Sequence, residues 1–329
     1  MRAPDFWSRN GSSWGMALAP LGWAYGLSTR LRLARIKPWR APVPVICIAN
    51  VVAGGAGKTP VALSLGERLI GQGRKVHFLS RGFGGTEAGP LRVDPKKHSA
   101  RDVGDEPLLL ARVGPTWVSA ERVAGAQEAS AGPDGPDVII MDDGFQNPGV
   151  FKDLSLLVVD GDYGFGNGQM IPAGPLREPV AAALSRAAAV VLIGEDAAGV
   201  NNHLALQGKD IPVLRANIKP DPETAGLKGK PVFAFAGIAQ PEKFFKSLKD
   251  TDLDIKGTRS FPDHHPFGRG DLEALKVAAM DAGATLVTTE KDAVRLPAAD
   301  REEVEVLGIS LEWRDETALD SIIAPIFKN

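Results

Sequence analysis

Asn50-Val51-Val52-Ala53-Gly54-Gly55-Ala56-Gly57-Lys58-Thr59 lies between an apolar run at 43–49 and a helical pattern at 58–71, and its reading decides the fold. A strand, a glycine-rich turn and a helix in that order make a cradle for phosphate. Phosphate oxygens need several backbone N–H groups converging on them, so the chain must wrap closely, and glycine permits that. The helix N-terminus adds the positive end of its dipole, Lys58 adds a point charge for the β and γ oxygens, and Thr59 offers a hydroxyl to a divalent cation. The strict spacing asks for glycine at position 52, where this chain has Val52; Gly54 and Gly55 supply the turn instead. The expected nucleotide-binding residues are Val52, Ala53, Gly54, Gly55, Ala56, Gly57, Lys58 and Thr59. Pro60 is compatible with an early helical position, because the first N–H groups have no intrahelical partner.

Outward from this turn, short apolar runs alternate with helical patterns, which is how a parallel sheet covered by helices is written. Strands are expected at 43–49, 75–80, 116–119, 137–141, 154–160, 189–193 and 213–216, with helices at 58–71, 106–113, 121–131 and 179–188. This describes an α/β fold, a P-loop NTPase-like doubly wound sheet over residues 41–217 with helices on both faces. Residues 218–230, rich in Pro, Gly and Lys, read as a linker. Strands at 232–236, 255–261, 285–288 and 304–311 and helices near 241–249, 271–282 and 317–327 then make a smaller C-terminal α/β domain, 231–329. The length of 329 residues accords with two domains, at roughly 100–200 residues each. Hydrophobic residues at 44% and charged residues at 24% exclude disorder, collagen and coiled coil as the overall plan. A net charge of −2 gives no footprint for nucleic acid. The single cysteine, Cys47, excludes an intrachain disulfide and a cysteine zinc cluster, in accord with a reducing compartment.

Asp142-Asp143-Gly144-Phe145-Gln146 ends the apolar run 138–141, so two carboxylates emerge at the carboxyl end of a strand, where open α/β sheets bind ligands. In P-loop enzymes an acid at such a place holds Mg²⁺ or its water. Asp105 and Glu106 follow Gly104 at the start of a helix, where capping alone accounts for acids. Phe261-Pro262-Asp263-His264-His265-Pro266-Phe267 sets two histidines beside a carboxylate in a proline-bounded loop. A metal there lacks a third ligand at useful spacing, and proton handling near neutral pH suits the pattern better. Arg81, in Ser80-Arg81-Gly82-Phe83-Gly84-Gly85, and Arg177, in Pro172-Ala173-Gly174-Pro175-Leu176-Arg177-Glu178-Pro179, can fork onto phosphate; a surface turn is the alternative for each. Thr288-Thr289-Glu290-Lys291-Asp292-Ala293-Val294-Arg295 ends a strand and can cap a helix, without a defined chemistry.

Residues 1–40 form a third region, carrying +6 against −8 on the remaining 289, and holding Trp7, Trp14, Trp23 and Trp39 of the six tryptophans. Trp14, Leu18, Leu21 and Tyr25 recur at helical spacing. Residues 11–29 are uncharged, but four glycines and Pro20 dilute their hydrophobicity below that of a spanning helix. The basic run follows the apolar stretch, unlike a secretory signal, so the segment is read as retained. Aromatic and apolar groups with arginines beside them suit an amphipathic helix lying in the headgroup region of an anionic leaflet. A helix packed on the protein's own body is the other reading.

Taken in order, the 50–60 turn, Leu79-Ser80-Arg81-Gly82-Phe83, Gly104-Asp105-Glu106-Pro107, Asp142 to Gln146, Pro172 to Pro179, Phe261 to His264 and Thr289-Glu290-Lys291-Asp292 resemble the tetraacyldisaccharide 4′-kinase family of lipid A biosynthesis, from about residue 5 to the C-terminus. The resemblance implies transfer of the ATP γ-phosphate, with Mg²⁺, to the 4′-hydroxyl of an acylated glucosamine disaccharide 1-phosphate at the cytoplasmic leaflet of a Gram-negative inner membrane. It further implies a small domain that closes over nucleotide, and no obligate protein partner is expected. By position, Asp105 matches the family's catalytic base and His264, rather than His265, its partner. Lys58 holds the phosphates, and Thr59 with Asp142 or Asp143 handles Mg²⁺. Arg177 and Glu178 fall at the phosphates or the metal. Trp14, Leu18, Leu21, Trp23 and Tyr25 would enter the lipid, because a tetraacylated substrate cannot leave the bilayer cheaply, at roughly 0.8 kcal/mol per CH₂. Two departures stand out: Ala49 replaces the family's usual glycine, and Asn147 its usual histidine. The rival readings are a membrane-docked P-loop nucleotide switch without a lipid acceptor, and a soluble small-molecule kinase or ligase. Neither requires Asp105 together with His264 and an acyl-chain surface.

Overall fold

The computed structural model describes residues 4–9, 11–131, 135–208, 210–221, 227–249, 251 and 253–328. The first part of the chain runs through α1 (Ser13–Arg35), β1 (Val45–Ala49), α2 (Lys58–Gly71), β2 (Val76–Ser80), β3 (Leu91–Arg92), α3 (Ala100–Val103), α4 (Asp105–Leu110), β4 (Thr116–Val118), α5 (Arg122–Ser130), β5 (Val138–Asp142), β6 (Leu154–Asp160), α6 (Val180–Leu184), β7 (Ala189–Ile193), α7 (Val200–Leu206) and β8 (Val213–Pro220). The second part runs through β9 (Pro231–Ala236), α8 (Pro241–Lys249), β10 (Asp254–Ser260), α9 (Arg269–Asp281), β11 (Thr285–Thr289), α10 (Glu290–Ala293), α11 (Ala298–Arg301), β12 (Glu305–Leu307), β13 (Ile309–Trp313) and α12 (Glu316–Ile323).

Nine strands form the large sheet, in the order β13-β8-β7-β6-β1-β5-β2-β4-β3. All its neighbours pair parallel except the two edges, β13 on β8 and β3 on β4. β1, β2, β5, β6 and β7 are buried along their whole length, as continuous apolar runs in a doubly covered parallel sheet must be. The chain leaves β1 toward β2 and β4, returns through β5, and then crosses to β6 on the other side. That reversal puts the topological switch point at the carboxyl end of β1, where the glycine-rich turn begins.

The second sheet has four strands in the order β10-β9-β11-β12, all parallel. It buries Phe244 and Leu248 of α8 on one side and Leu272 and Leu275 of α9 on the other.

The strand expected at 304–311 is two strands. β12 closes the small sheet, whereas β13 crosses back and pairs antiparallel with β8 at the edge of the large one. Leu311, Trp313, Leu319 and Ile323 then pack in the same core as Val61 and Leu65 of α2, and Arg68 takes Asp320 at 2.6 and 2.7 Å and Glu316 at 2.6 Å. Residues 309–328 thus sit on the large sheet, which a boundary drawn at 231–329 does not capture. The segment expected as a linker begins inside β8, which continues to Pro220; residues 222–226 of it lie outside the described residues. The helix expected at 106–113 ends at Leu110, and that at 179–188 ends at Leu184.

α1 docks through its small residues. Gly15, Gly22, Gly26 and Thr29 make its buried stripe, and a Cβ at Gly22 would lie 2.7 Å from the Met170 carbonyl. Leu18 is half-buried on this side. Away from that stripe Trp14 is 67% and Trp23 69% exposed, together with Met16, Leu21, Tyr25, Leu27 and Leu31. The apolar face expected from Trp14, Leu18, Leu21 and Tyr25 is therefore divided, with Leu18 turned toward the body. Among the described residues, no helix is long and apolar enough to cross a membrane.

Candidate active site

β1 delivers the glycine-rich turn, and Gly57 (φ 82°) caps α2 in the left-handed region that a residue with a Cβ enters at a cost. Asn50, fully buried at the end of β1, holds the turn by donating to the carbonyls of Val52 at 2.9 Å and Gly54 at 3.4 Å. Val52, in place of the motif's glycine, is buried and bridges Leu176, so this position ties the turn to the 170–178 loop. Ala53 N–H donates to Pro175 O at 2.8 Å in the same contact, and Ala56 is buried in the core beneath. Gly54 and Gly55 stay exposed, and a Cβ on Gly55 would lie 3.3 Å from Ala239, just after β9 of the small domain.

The two aspartates after β5 have separate surroundings. Asp142 is buried; its Oδ2 accepts from Thr59 Oγ1 at 3.2 Å, and its Oδ1 has no hydrogen-bond partner. Burial, with Glu106 nearby, pushes its pKa up to about 7 against the pull of Lys58. Asp143, at φ 52°, accepts from Arg177 at 2.9 and 3.1 Å and lies 3.8 Å from Lys58 Nζ. Lys58 and Arg177 hold its carboxyl below the usual range despite burial. Glu178 is not free for a metal: it is buried, ion-paired with Arg186, and accepts from Gln146 Nε2 at 3.0 Å. A cation is therefore best served by Thr59 and Asp142, whose buried Oδ1 lacks a hydrogen-bond partner. Among the described residues no group of three or more His, Cys, Asp or Glu could hold a metal. A Mg²⁺ ion that keeps waters and takes phosphate oxygens needs only one or two protein ligands.

His264 Nδ1 lies 3.0 Å from Asp105 Oδ2. Gly104 (φ 86°) starts α4 so closely against the 80–85 loop that a Cβ there would be 2.5 Å from the Phe83 carbonyl, and this turns Asp105 inward to 3% exposure. Burial pushes the Asp105 carboxyl up, but the His264 hydrogen bond and the charges of Lys291, His264 and Arg295 carry it below the ordinary value. His264 adopts φ 56° and meets the Phe83 ring edge-on at 5.4 Å. Asp143 and His264 are the two non-glycine residues with positive φ among those described, and strain of this kind concentrates at functional sites. His265 instead donates from Nε2 to Asp271 Oδ2 at 3.0 Å, away from Asp105. Arg81 is exposed on the 80–85 loop.

Three residues of this site carry little signal in the sequence. Lys291 binds Glu106 at 3.1 Å, Arg295 Nε lies 3.2 Å from Asp105 Oδ2, and Arg112 binds Glu290 at 3.0 Å. The 288–295 stretch looks like a helix cap, and only its place at the carboxyl end of β11, facing the large sheet, gives its cations a partner. The spacing Asp292 to Arg295, one helical turn, is the one local hint.

A glycine-rich turn between a buried parallel strand and a helix, at the switch point of a doubly wound sheet, places the chain in the P-loop class of nucleotide-binding α/β proteins. The chain belongs to the Tetraacyldisaccharide-1-P 4'-kinase family, whose pattern it matches over residues 14–328, and it is an enzyme, a kinase. It is 54% identical over 327 residues to the Tetraacyldisaccharide 4'-kinase of Paramagnetospirillum magneticum, covering 99% of this chain and 98% of that one. It is 52% identical over 331 residues to the enzyme of the same name from Rhodospirillum centenum, covering 99% and 97%. Among solved structures, the "apo" form of LpxK from Aquifex aeolicus in complex with ATP matches with a TM-score of 0.75 at 27% identity, over 95% of this chain and 99% of that one.

Proposed function

We propose that this chain transfers the γ-phosphoryl group of ATP to the 4′-hydroxyl of a tetraacylated glucosamine disaccharide 1-phosphate, forming lipid IVA for lipid A. Family membership supports the substrate class. The observation that carries the chemistry is the 3.0 Å pairing of Asp105 with His264, on a helix start whose next residue, Glu106, acts electrostatically on Asp142 at the end of β5, beside Thr59.

In this reading the 52–59 turn and Lys58 bind the triphosphate tail, and Arg177, now on Asp143, is positioned to add charge as phosphate arrives. A sugar hydroxyl is a poor nucleophile near pH 7, so Asp105 accepts its proton as the O–P bond forms and the bond to ADP breaks. His264 orients Asp105 and balances its charge. Thr59 and Asp142 would hold Mg²⁺, which neutralises phosphate charge when bound. Most of the acceleration comes from alignment and charge neutralisation.

The exposed side of α1 supplies the contact with lipid. Trp14, Leu21, Trp23 and Tyr25 enter the headgroup region of the cytoplasmic leaflet, with Arg30, Arg32 and Arg35 at its anionic surface. The kinase then acts at the inner membrane without spanning it.

Incubation with labelled ATP, Mg²⁺ and the tetraacyl disaccharide 1-phosphate tests this directly. Labelled lipid from the wild type, lost in Lys58→Ala, Asp105→Ala and His264→Ala, is the expected result. Label released only as free phosphate would point to a nucleotide switch.

A further inference from the structure

Arg295 reaches the same carboxylate oxygen as His264. Its Nε lies 3.2 Å from Asp105 Oδ2 and its side chain is 6% exposed. The guanidinium is fixed by backbone: Nε gives its single hydrogen to Lys291 O at 3.0 Å, so its approach to Asp105 is a contact of charges, and Nη1 donates to Gly237 O at 3.0 Å and His265 O at 3.3 Å. Nη2 lies 3.2 Å from Asp292 Oδ1. Asp292 is fully buried and held in turn, accepting from Gly237 N–H at 3.0 Å and Thr289 Oγ1 at 2.6 Å. Arg295 thereby ties together the loops that leave β9, β10 and β11, and sets its charge beside Asp105 across the domain boundary.

We propose that Arg295 is a positioning residue for phosphoryl transfer: it fixes the Asp105 carboxylate jointly with His264 and keeps it charged until the substrate hydroxyl arrives. This rests on the reading of Asp105 as the base. A buried carboxylate without a permanent counter-charge protonates and ceases to be a base. His264 balances it only when protonated, whereas a guanidinium is charged at every relevant pH. Oδ1 of Asp105 is already taken by the Glu106 N–H at 2.9 Å, so Oδ2 is the oxygen that His264 hydrogen-bonds and that the Arg295 charge faces.

The other charged groups around Asp105 come from each element that packs on it. On α4, Glu106 pairs with Lys291 at 3.1 Å. The loop after β10 brings His264, with Asp263 3.8 Å from its Nε2. α10 brings Lys291 and Asp292, and the 80–85 loop brings Phe83 and the exposed Arg81. Arg295 and Lys291, with His264, are the groups whose positive charges act on the Asp105 carboxyl.

The test is the pH profile of kcat and kcat/KM for the full chain with lipid and Mg-ATP, comparing wild type, Arg295→Gln and Arg295→Lys, with melting temperature alongside. In Arg295→Gln, kcat falls about 10- to 100-fold, KM for ATP stays within about twofold, and the acid limb moves up by about one to two pH units. In Arg295→Lys the charge remains but the multiple donors do not, so the acid limb stays where it is and kcat recovers in part. An unmoved acid limb in Arg295→Gln, or equal loss in both variants without a shift, overturns the proposal. Should Arg295→Gln fail to fold, Arg295→Lys decides: reduced kcat at unchanged melting temperature supports it, and wild-type kcat overturns it. Asp105→Asn separates the two levels, since transfer surviving that change removes the base reading itself, whatever Arg295 does.

Discussion

His264, at the carboxyl end of β10 in the small sheet, sits 3.0 Å from Asp105, at the start of α4 on the large one, although 159 residues separate them. Residues that follow the strands of the small sheet meet the start of α4 on the large one, and each sheet contributes one half of the pair. Neither domain alone holds the arrangement.

That relationship has a pH signature. The folded pKa of Asp105 is depressed, so its stabilising contribution is present above the unfolded value of about 3.9 and is lost as pH falls through the lower folded value. Removing the hydrogen-bond partner with His264→Ala raises the folded value toward the unfolded one. Acid unfolding followed by circular dichroism should then begin at higher pH than in the wild type, and the acid limb of transfer should move the same way. Identical acid limbs would mean that His264 does not set the charge of Asp105.

Lys58→Ala should reduce transfer by about 10³-fold or more, since one preorganised charge at a phosphoryl transition state contributes roughly 3–4 kcal/mol. Lys58 meets Asp143 at 3.8 Å, and Arg177 still pairs with that carboxylate, so the fold should survive. Single-turnover assays with saturating Mg-ATP measure the loss, and transfer within tenfold of wild type would remove Lys58 from the chemistry.

Asp142→Asn should separate stability from activity. The buried Oδ1 has no hydrogen-bond partner and burial disfavours the charge more than Lys58 favours it, so removing the charge should stabilise the protein without Mg²⁺ and nucleotide by about 1–2 kcal/mol. Transfer should be lost, and addition of Mg-ATP should no longer raise the melting temperature as it does for wild type. A variant less stable than wild type without ligands would mean that the charge is compensated in the fold.

At the N-terminus, Trp14→Glu with Trp23→Glu changes two exposed positions that flank the docked glycine stripe. Flotation with vesicles containing anionic lipid should show binding reduced about tenfold or more, while melting temperature and basal ATP hydrolysis stay near wild type. Unaltered vesicle binding would remove this face from the membrane contact.

Leu319→Ala, at a fully buried position of α12, should destabilise the large domain by about 2–5 kcal/mol in chemical denaturation. The reason is that β13 and α12 pack on α2, although they follow the small domain in sequence. A transition that moves only the small domain would contradict this packing.

What the residues settle alone is local. A buried apolar run, a glycine turn and Lys58-Thr59 dictate strand, phosphate cradle and helix, because backbone geometry and the first helical turn depend only on neighbours in the chain. Alternating runs give the two α/β units, and the order of motifs points to the family. Long-range placement is decided elsewhere. That residues 309–328 return to the large sheet follows from Leu311, Trp313 and Leu319 finding a core next to α2, which no periodicity encodes. That α1 docks by its glycines, with Leu18 turned inward, follows from the close approach of Met170. Glu178, which the family resemblance sets at the phosphates or the metal, pairs with Arg186, a partner that its loop does not announce. Arg295, inconspicuous in sequence, meets Asp105 only when the two domains come together. Charge acts through space at a few ångströms, and only the folded chain determines which charges come that close.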